Sequence, residues 1–281
     1  MKTVSAVKSR RRQRLRASAV RKLQKLLRAR RDQFLHERIM ANIEILRILG
    51  RAIARRDHDT GSHDTRVTLY AVGIAEAVGV DDRTMRHLIM GAFLHDVGKI
   101  AVPDRILLKA GPLSPEEWAV MKRHVASGVE ILTRCQGCGW LRDAIEVVKF
   151  HHERFDGTGY PAGCMALVIP LNARIFAIAD VFDALTSKRP YRERNPFSRV
   201  MQEMHAQRNR HFDPHLFDAF GEVARELYDR YADERDDILD RDLNKVIARY
   251  FADDAVGGPI SGCVAAPGYA PRSLAATGGL G

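Results

Sequence analysis

From about Ala17 to Arg56 the residues Leu23, Leu26, Leu27, Phe34, Leu35, Ile39, Ile43, Leu46 and Leu49 recur at spacings of three and four. That is the period of an apolar face on an α-helix, and it predicts one long amphipathic helix. Such a helix can pair with a second copy or pack on the segment that follows, and the pattern alone does not separate the two. From residue 57 to about 250 the spacing stays helical and no run alternates as a strand would, so the predicted fold class is all-α. Ser114-Pro115-Glu116-Glu117 supplies a cap, a first-turn proline and the acid of a capping box; the helix it starts is predicted to reach about Thr133, with His124 inside it. The stretch Ala173 to Leu185 is apolar nearly all round, as in a helix buried in a core, yet it contains Asp180 and Asp183. Beyond Phe251 the chain turns to Gly, Pro, Ala and Ser. The predicted organisation is a basic N-terminal arm and helix (1–56), a helical domain (57–250) and a disordered tail (251–281).

With 281 residues the chain is long enough to bury a sizeable core. Its net charge of +10 is unevenly placed: residues 1–56 hold 18 Lys and Arg against 3 acids, and the remainder holds 27 against 32. The basicity therefore belongs to the arm, where Arg10-Arg11-Arg12-Gln13-Arg14-Leu15-Arg16 suits nucleic acid, an anionic membrane surface or an acidic partner. A solvated helical extension would look the same, because a charge run carries no base-reading information. No stretch approaches the roughly 18 apolar residues that span a bilayer, and no signal-peptide core is visible, so the expected location is the cytoplasm. Cys135 and Cys138 form one Cys-x-x-Cys without the second pair that a structural zinc site wants, and Cys164 and Cys263 stand alone; all four read as ordinary reduced thiols.

Histidines and aspartates carry the candidate chemistry: His63, the pair His95-Asp96, His124, the pair His151-His152, and Asp180. This is a nitrogen and oxygen donor set without thiolates, which Fe, Mn, Ni and Zn accept. Neighbouring residues point apart on an ideal helix, so each pair can converge on one centre only at a helix end. Two such pairs suggest more than one metal. An unpaired Asp96 or Asp180 in a helical core would be costly to bury, whereas a divalent cation supplies both charge and ligand bonds. His36, His58, His87, His205, His211 and His215 read as ordinary core or surface residues.

Several motifs occur in order: His63-Asp-Thr-Arg66-Val67, Leu94-His95-Asp96-Val-Gly98-Lys99-Ile100-Ala-Val-Pro103, Lys122-Arg-His124, and His151-His152-Glu153-Arg-Phe-Asp156-Gly157-Thr-Gly159-Tyr160-Pro161. Ile169-Pro170-Leu171, Ala179-Asp180-Val-Phe-Asp183-Ala-Leu185-Thr, Arg189-Pro190-Tyr191-Arg192 and His211-Phe212-Asp213-Pro214 follow. Over about residues 51–222 the chain thereby resembles the HD-GYP family, a branch of the HD metal-dependent phosphohydrolases.

The resemblance implies an HD-type helical bundle with extra GYP helices. It implies that His63, His95, Asp96 and Asp180 hold the metal site shared by HD enzymes, that His124, His151 and His152 hold an additional metal, and that Asp96 bridges. Two divalent ions, Fe or Mn, are expected; Asp59, standing where members with three metals carry Glu, leaves a third open. Asp96 and Lys99 are implied as catalytic residues, Gly159, Tyr160, Pro161, Arg189 and Arg192 as substrate-binding, and Asp183 as support for a ligand. The implied activity is hydrolysis of cyclic di-GMP to pGpG, and onward to GMP, by a metal-activated hydroxide. Two other readings stand beside it: a signalling adaptor that binds a diguanylate cyclase or other partner through the GYP loop, and an HD hydrolase of another cyclic dinucleotide, a nucleotide or nucleic acid.

Overall fold

The structure, a computed structural model, describes residues 2–57, 62–134, 141, 144–187, 195–233 and 235–251, with side chains from residue 20 onward. The first element, α1 (Lys2–Ala54), is a single helix of 53 residues that begins well before the predicted start. Its apolar residues divide between two fates. Ile43, Leu46 and Ile53 are buried against the domain, and a Cβ on Gly50 would lie 2.2 Å from the Phe93 carbonyl, so the two backbones nearly touch there. Val20, Leu23, Leu26, Leu27 and Phe34 are exposed. The periodicity thus predicted the helix, but only its last turns pack on the domain.

A 3-10 turn at Arg55–Asp57 ends this arm. The domain continues with α2 (His63–Val78), α3 (Asp82–Leu94), a 3-10 turn at Val97–Ala101, α4 (Asp104–Leu107), α5 (Pro115–Thr133) and α6 (Ile145–Phe150). It is completed by α7 (Leu171–Thr186), α8 (Phe197–His205), α9 (Pro214–Tyr231) and α10 (Asp236–Phe251). Among the described residues there is no strand, in agreement with the all-α expectation; one isolated bridge joins Arg208 and Phe212.

Side-chain caps start three of these helices. At α5 the Ser114 hydroxyl accepts from the Glu117 amide, and the Glu117 carboxylate accepts from the Ser114 amide at 2.8 Å, which closes the expected capping box. Asp81 caps α3 through the Thr84 amide at 2.7 Å, and Asp213 caps α9 through the His215 amide at 2.9 Å. α2 lies at the centre, packed against α3, α7 and α9. There Tyr70 meets the edge of Phe182 at 4.9 Å between ring centres, and Phe182 meets Phe220 at 5.0 Å. This apolar centre holds the N-terminal end of α2, the C-terminal end of α3 and the middle of α7 at one end of the bundle. No described helix is long and apolar enough to cross a membrane. Asp59, Cys135, Cys138, Arg189, Arg192 and the expected tail from residue 252 lie outside the described residues.

Candidate metal centre

His95 and His151 occupy the C-cap positions of α3 and α6, which is where adjacent ligands can turn toward one point. His63 opens α2, His124 sits inside α5 and Asp180 inside α7. The bundle brings them together as two contiguous groups. Asp96, His124, His151 and His152 form one and His63, His95 and Asp180 the other, and in each the ligand-capable atoms lie within 4.8 Å of one another. Asp96 faces both groups: Oδ2 is 3.1 Å from His95 Nε2, while Oδ1 is 3.4 Å from His124 Nε2 and 3.9 Å from His151 Nε2. Both groups include neighbouring imidazoles, with the His95 and His151 ring centres 5.5 Å apart.

The tautomers are set from behind. Nδ1 of His95 donates to the Ala92 carbonyl at 2.8 Å, Nδ1 of His124 to Met121 at 2.8 Å, and Nδ1 of His151 to Val148 at 3.0 Å. His63 Nδ1 donates to the Asp183 carboxylate at 2.7 Å. With its proton on Nδ1, each neutral ring presents the Nε2 lone pair inward, as a metal ligand must. Nε2 of His124 and Nε2 of His151 are buried and make no hydrogen bond. Two orphaned imidazole nitrogens facing one carboxylate are what a divalent cation satisfies, so the residues present fit such an ion.

For His124, His151 and His152 the electrostatics point the same way. Burial pushes the imidazoles of His124 and His151 down, and that of His152 to about 3, which leaves them neutral at pH 7. Burial also depresses His95, but the carboxylates of Asp96, Asp64 and Asp180 outweigh it and hold the ring at about 9. Burial would raise Asp96, yet Lys99 and the imidazoles keep it well below the usual carboxylate range. Asp180 is pushed up, chiefly by burial. Burial likewise opposes ionisation of Asp183, but the His63 hydrogen bond and the Arg66 guanidinium, whose Nε donates at 2.6 Å, hold it at about 2. Asp183 therefore orients His63, the supporting place the sequence suggested for it.

One wall of the site is the GYP loop. Tyr160 stacks on His152 at 4.7 Å between ring centres; Trp118, on α5, stands edge-on to Tyr160 at 6.1 Å, and Lys122 Nζ lies 5.8 Å over the Tyr160 ring. The loop is pinned by its own backbone: the Ala162 amide donates to the buried Glu153 carboxylate at 2.7 Å, and the Phe155 and Asp156 amides donate to the carbonyls of His211 and Arg210. The two loop glycines serve different ends. Gly157 has φ of +79°, whereas Gly159 is needed for space, since a Cβ there would lie 2.4 Å from the Arg154 nitrogen.

Of the residues singled out from sequence, His63, His95, Asp96, Lys99, His124, His151, His152, Asp180, Tyr160 and the adjoining Gly159 and Pro161 gather at this end of the bundle. Sequence reasoning missed Trp118, Glu153, Arg56 and Asp57. Trp118 falls in an ordinary helical pattern, and nothing local distinguishes Asp57 from a cap.

The sequence model described as HD domain matches residues 47–216. The chain belongs to the HD domain family. Its HD domain is 39% identical over 194 residues to a cyclic di-GMP phosphodiesterase of Thermotoga maritima, an alignment covering 69% of this chain and 52% of the relative. It is 45% identical over 176 residues to the cyclic di-GMP phosphodiesterase response regulator RpfG of Xanthomonas campestris pv. campestris, covering 63% and 46%. A 3′3′-cGAMP-specific phosphodiesterase 2 of Vibrio cholerae is 42% identical over 173 residues, covering 62% and 33%. The chain thus spans about half or less of the length of these relatives. These similarities agree with the resemblance to the HD-GYP branch. Among solved structures, a cyclic GMP-AMP specific phosphodiesterase of V. cholerae shares the fold, with a TM-score of 0.54 at 16% identity over 73% of this chain and 54% of that one.

Proposed function

We propose that this HD domain is a metal-dependent phosphodiesterase that opens cyclic di-GMP to pGpG, itself a phosphodiester open to a second cut to GMP. The observation that carries this reading is the pair of buried, unbonded Nε2 atoms of His124 and His151 beside the Asp96 carboxylate, next to a second group of His63, His95 and Asp180. These seven residues would hold two divalent ions, and a donor set of imidazole and carboxylate suits Fe or Mn. When bound, such ions lower the pKa of water toward neutrality and polarise a phosphoryl oxygen. The chain's own part is to fix the ligand tautomers, to hold negative charge on Asp96 between the two groups, and to place the Lys99 ammonium, 2.7 Å from Asp96 Oδ2, at the edge where a phosphate or departing 3′ oxygen would lie. Tyr160 and Trp118 offer aromatic faces for a purine base beside that edge. Relatives named for cyclic di-GMP support that substrate, and the relative named for 3′3′-cGAMP supplies the competitor.

The test loads the full chain with Fe(II) or Mn(II) under low oxygen, counts metal per chain, and follows cyclic di-GMP, 3′3′-cGAMP and a plain phosphodiester by chromatography. Preferential opening of cyclic di-GMP supports the reading; fully metallated protein that turns over none of the three sinks it. A nucleotide substrate of this kind supports a cytoplasmic location for the domain.

The arm supports a second copy as its partner. Val20, Leu27, Phe34, Ala41 and Ile48 stand seven residues apart on α1 and all are exposed, which supplies one of the two positions per heptad that a coiled-coil seam uses. Sedimentation of the full chain should show a dimer, and replacing Leu27 and Phe34 by Glu should return it to monomer; a monomeric full chain would refute the pairing.

A further inference from the structure

The arm also reaches the site directly. After α1 the 3-10 turn Arg55–Asp57 passes beside the turn Val97–Ala101, which follows the His95-Asp96 pair. The Asp57 carboxylate accepts a hydrogen bond from Lys99 Nζ, and Asp96 Oδ2 accepts a second at 2.7 Å. Two of the three ammonium protons are thus committed, and the third is left for a substrate. Arg56 holds the backbone under Lys99: its Nη1 donates to the carbonyls of Lys99 and Ile100 at 2.8 Å each, and its Nη2 to the Val102 carbonyl at 2.8 Å and to Asp104 at 2.7 Å. A guanidinium fork spanning these acceptors closes the otherwise open carbonyl end of the 97–101 turn. Asp57 lines the same small cavity, of about 10 Å³, as His63, His95, Asp96 and Lys99.

We propose that Asp57 is a positioning residue for Lys99, so that the end of the N-terminal helix forms part of the catalytic machinery. The inference rests on the phosphate-facing role given to Lys99 above. A lysine side chain is a flexible stem with a point charge, and one hydrogen bond to Asp96 would leave it free to pivot. A second anchor from a different element fixes its direction. Because α1 packs on α3 with Gly50 against the Phe93 backbone, a shift of the helix along its axis carries Arg56 and Asp57 with it and is felt at Lys99. Sequence gives no hint of this link, since Asp57 and Lys99 are 42 positions apart.

The experiment is a double-mutant cycle on the full chain loaded with Mn(II), measured in single turnover of cyclic di-GMP with metal content and unfolding midpoint recorded for each variant. Asp57→Asn is expected to lower the rate about tenfold with metal content unchanged, and Asp57→Glu to recover part of it; in a Lys99→Met background the Asp57→Asn step should cost less than about twofold. In metal-free protein, the Lys99 ammonium signal in ¹⁵N-selective NMR should be sharp and should broaden in Asp57→Asn, a readout independent of turnover. Equal rates for wild type and Asp57→Asn, an equal loss in both backgrounds, or an unchanged NMR signal would overturn the proposal. Failure of the functional reading shows differently, as absence of turnover by the metallated wild type; a Lys99→Met variant as fast as wild type would remove the lysine's role and the positioning of it together.

Discussion

Replacing Gly98 by alanine tests whether the site depends on how closely α5 approaches the turn that follows His95-Asp96. A Cβ at position 98 would lie 1.8 Å from the His124 carbonyl oxygen and 2.4 Å from the Gly128 nitrogen. Both are backbone atoms of a helix, so neither can rotate aside. Real Cβ atoms stay beyond 3.0 Å, so the turn and α5 must part by at least about 1.2 Å. His124 rides on α5 and Asp96 on the turn, and their present separation is 3.4 Å. Overpacking of this kind costs roughly 1–3 kcal/mol of stability, and misplacing a reacting group by about 1 Å can cost about 100-fold in rate. The assay measures metal per chain by mass spectrometry, the urea unfolding midpoint and the rate of cyclic di-GMP opening. Expected for Gly98→Ala are loss of the ion proposed for Asp96, His124, His151 and His152 and a rate lower by about two orders of magnitude. Gly128→Ala is the comparison, because its Cβ would meet the Val148 methyl at 3.0 Å and the Gly98 nitrogen at 3.3 Å, a contact that small shifts relieve. A Gly98→Ala protein with full metal content and wild-type rate would refute the reasoning.

Three further outcomes follow from the geometry. Asp96→Asn should retain the fold but lose both metals and all turnover, since the carboxylate faces both ligand groups; retention of either ion, counted per chain, would contradict its place between them. Trp118→Ala should raise KM about tenfold with little change in kcat, and Trp118→Phe should restore it, because stacking of one base is worth roughly 1–3 kcal/mol; an unchanged KM would remove Trp118 from the substrate wall. His211 is held at about 4 by burial, with Arg154 adding to the effect, against an ordinary value of 6.5. The unfolded chain therefore binds this proton more readily, and stability falls as pH drops from 6.5 toward 4, by roughly 2 kcal/mol at pH 4.5. His211→Asn should flatten that part of the urea-derived stability profile, and an unaltered slope would show that His211 is not responsible.

The sequence by itself determined the kinds of element and the inventory of candidate ligands. Three-and-four spacing gave α1 and the absence of strands among the described residues, Ser114 and Glu117 marked the start of α5, and the two adjacent pairs called for helix ends, where His95 and His151 indeed stand. Those are local statements, because periodicity, caps and ligand type are properties of a few neighbouring residues. Only the tertiary structure decided which faces are used. It divided the apolar residues of α1 between the domain and solvent, turned Nδ1 of His63, His95, His124 and His151 to an outer acceptor, set Trp118 beside Tyr160, and brought Asp57 to Lys99. It also gave Gly159 its reason, a close backbone approach to Arg154. Each of these depends on where groups distant in the chain or across a folded loop come to lie, and that is fixed by the packing of Tyr70, Phe182 and Phe220 at the bundle centre, not by any spacing a single segment can carry.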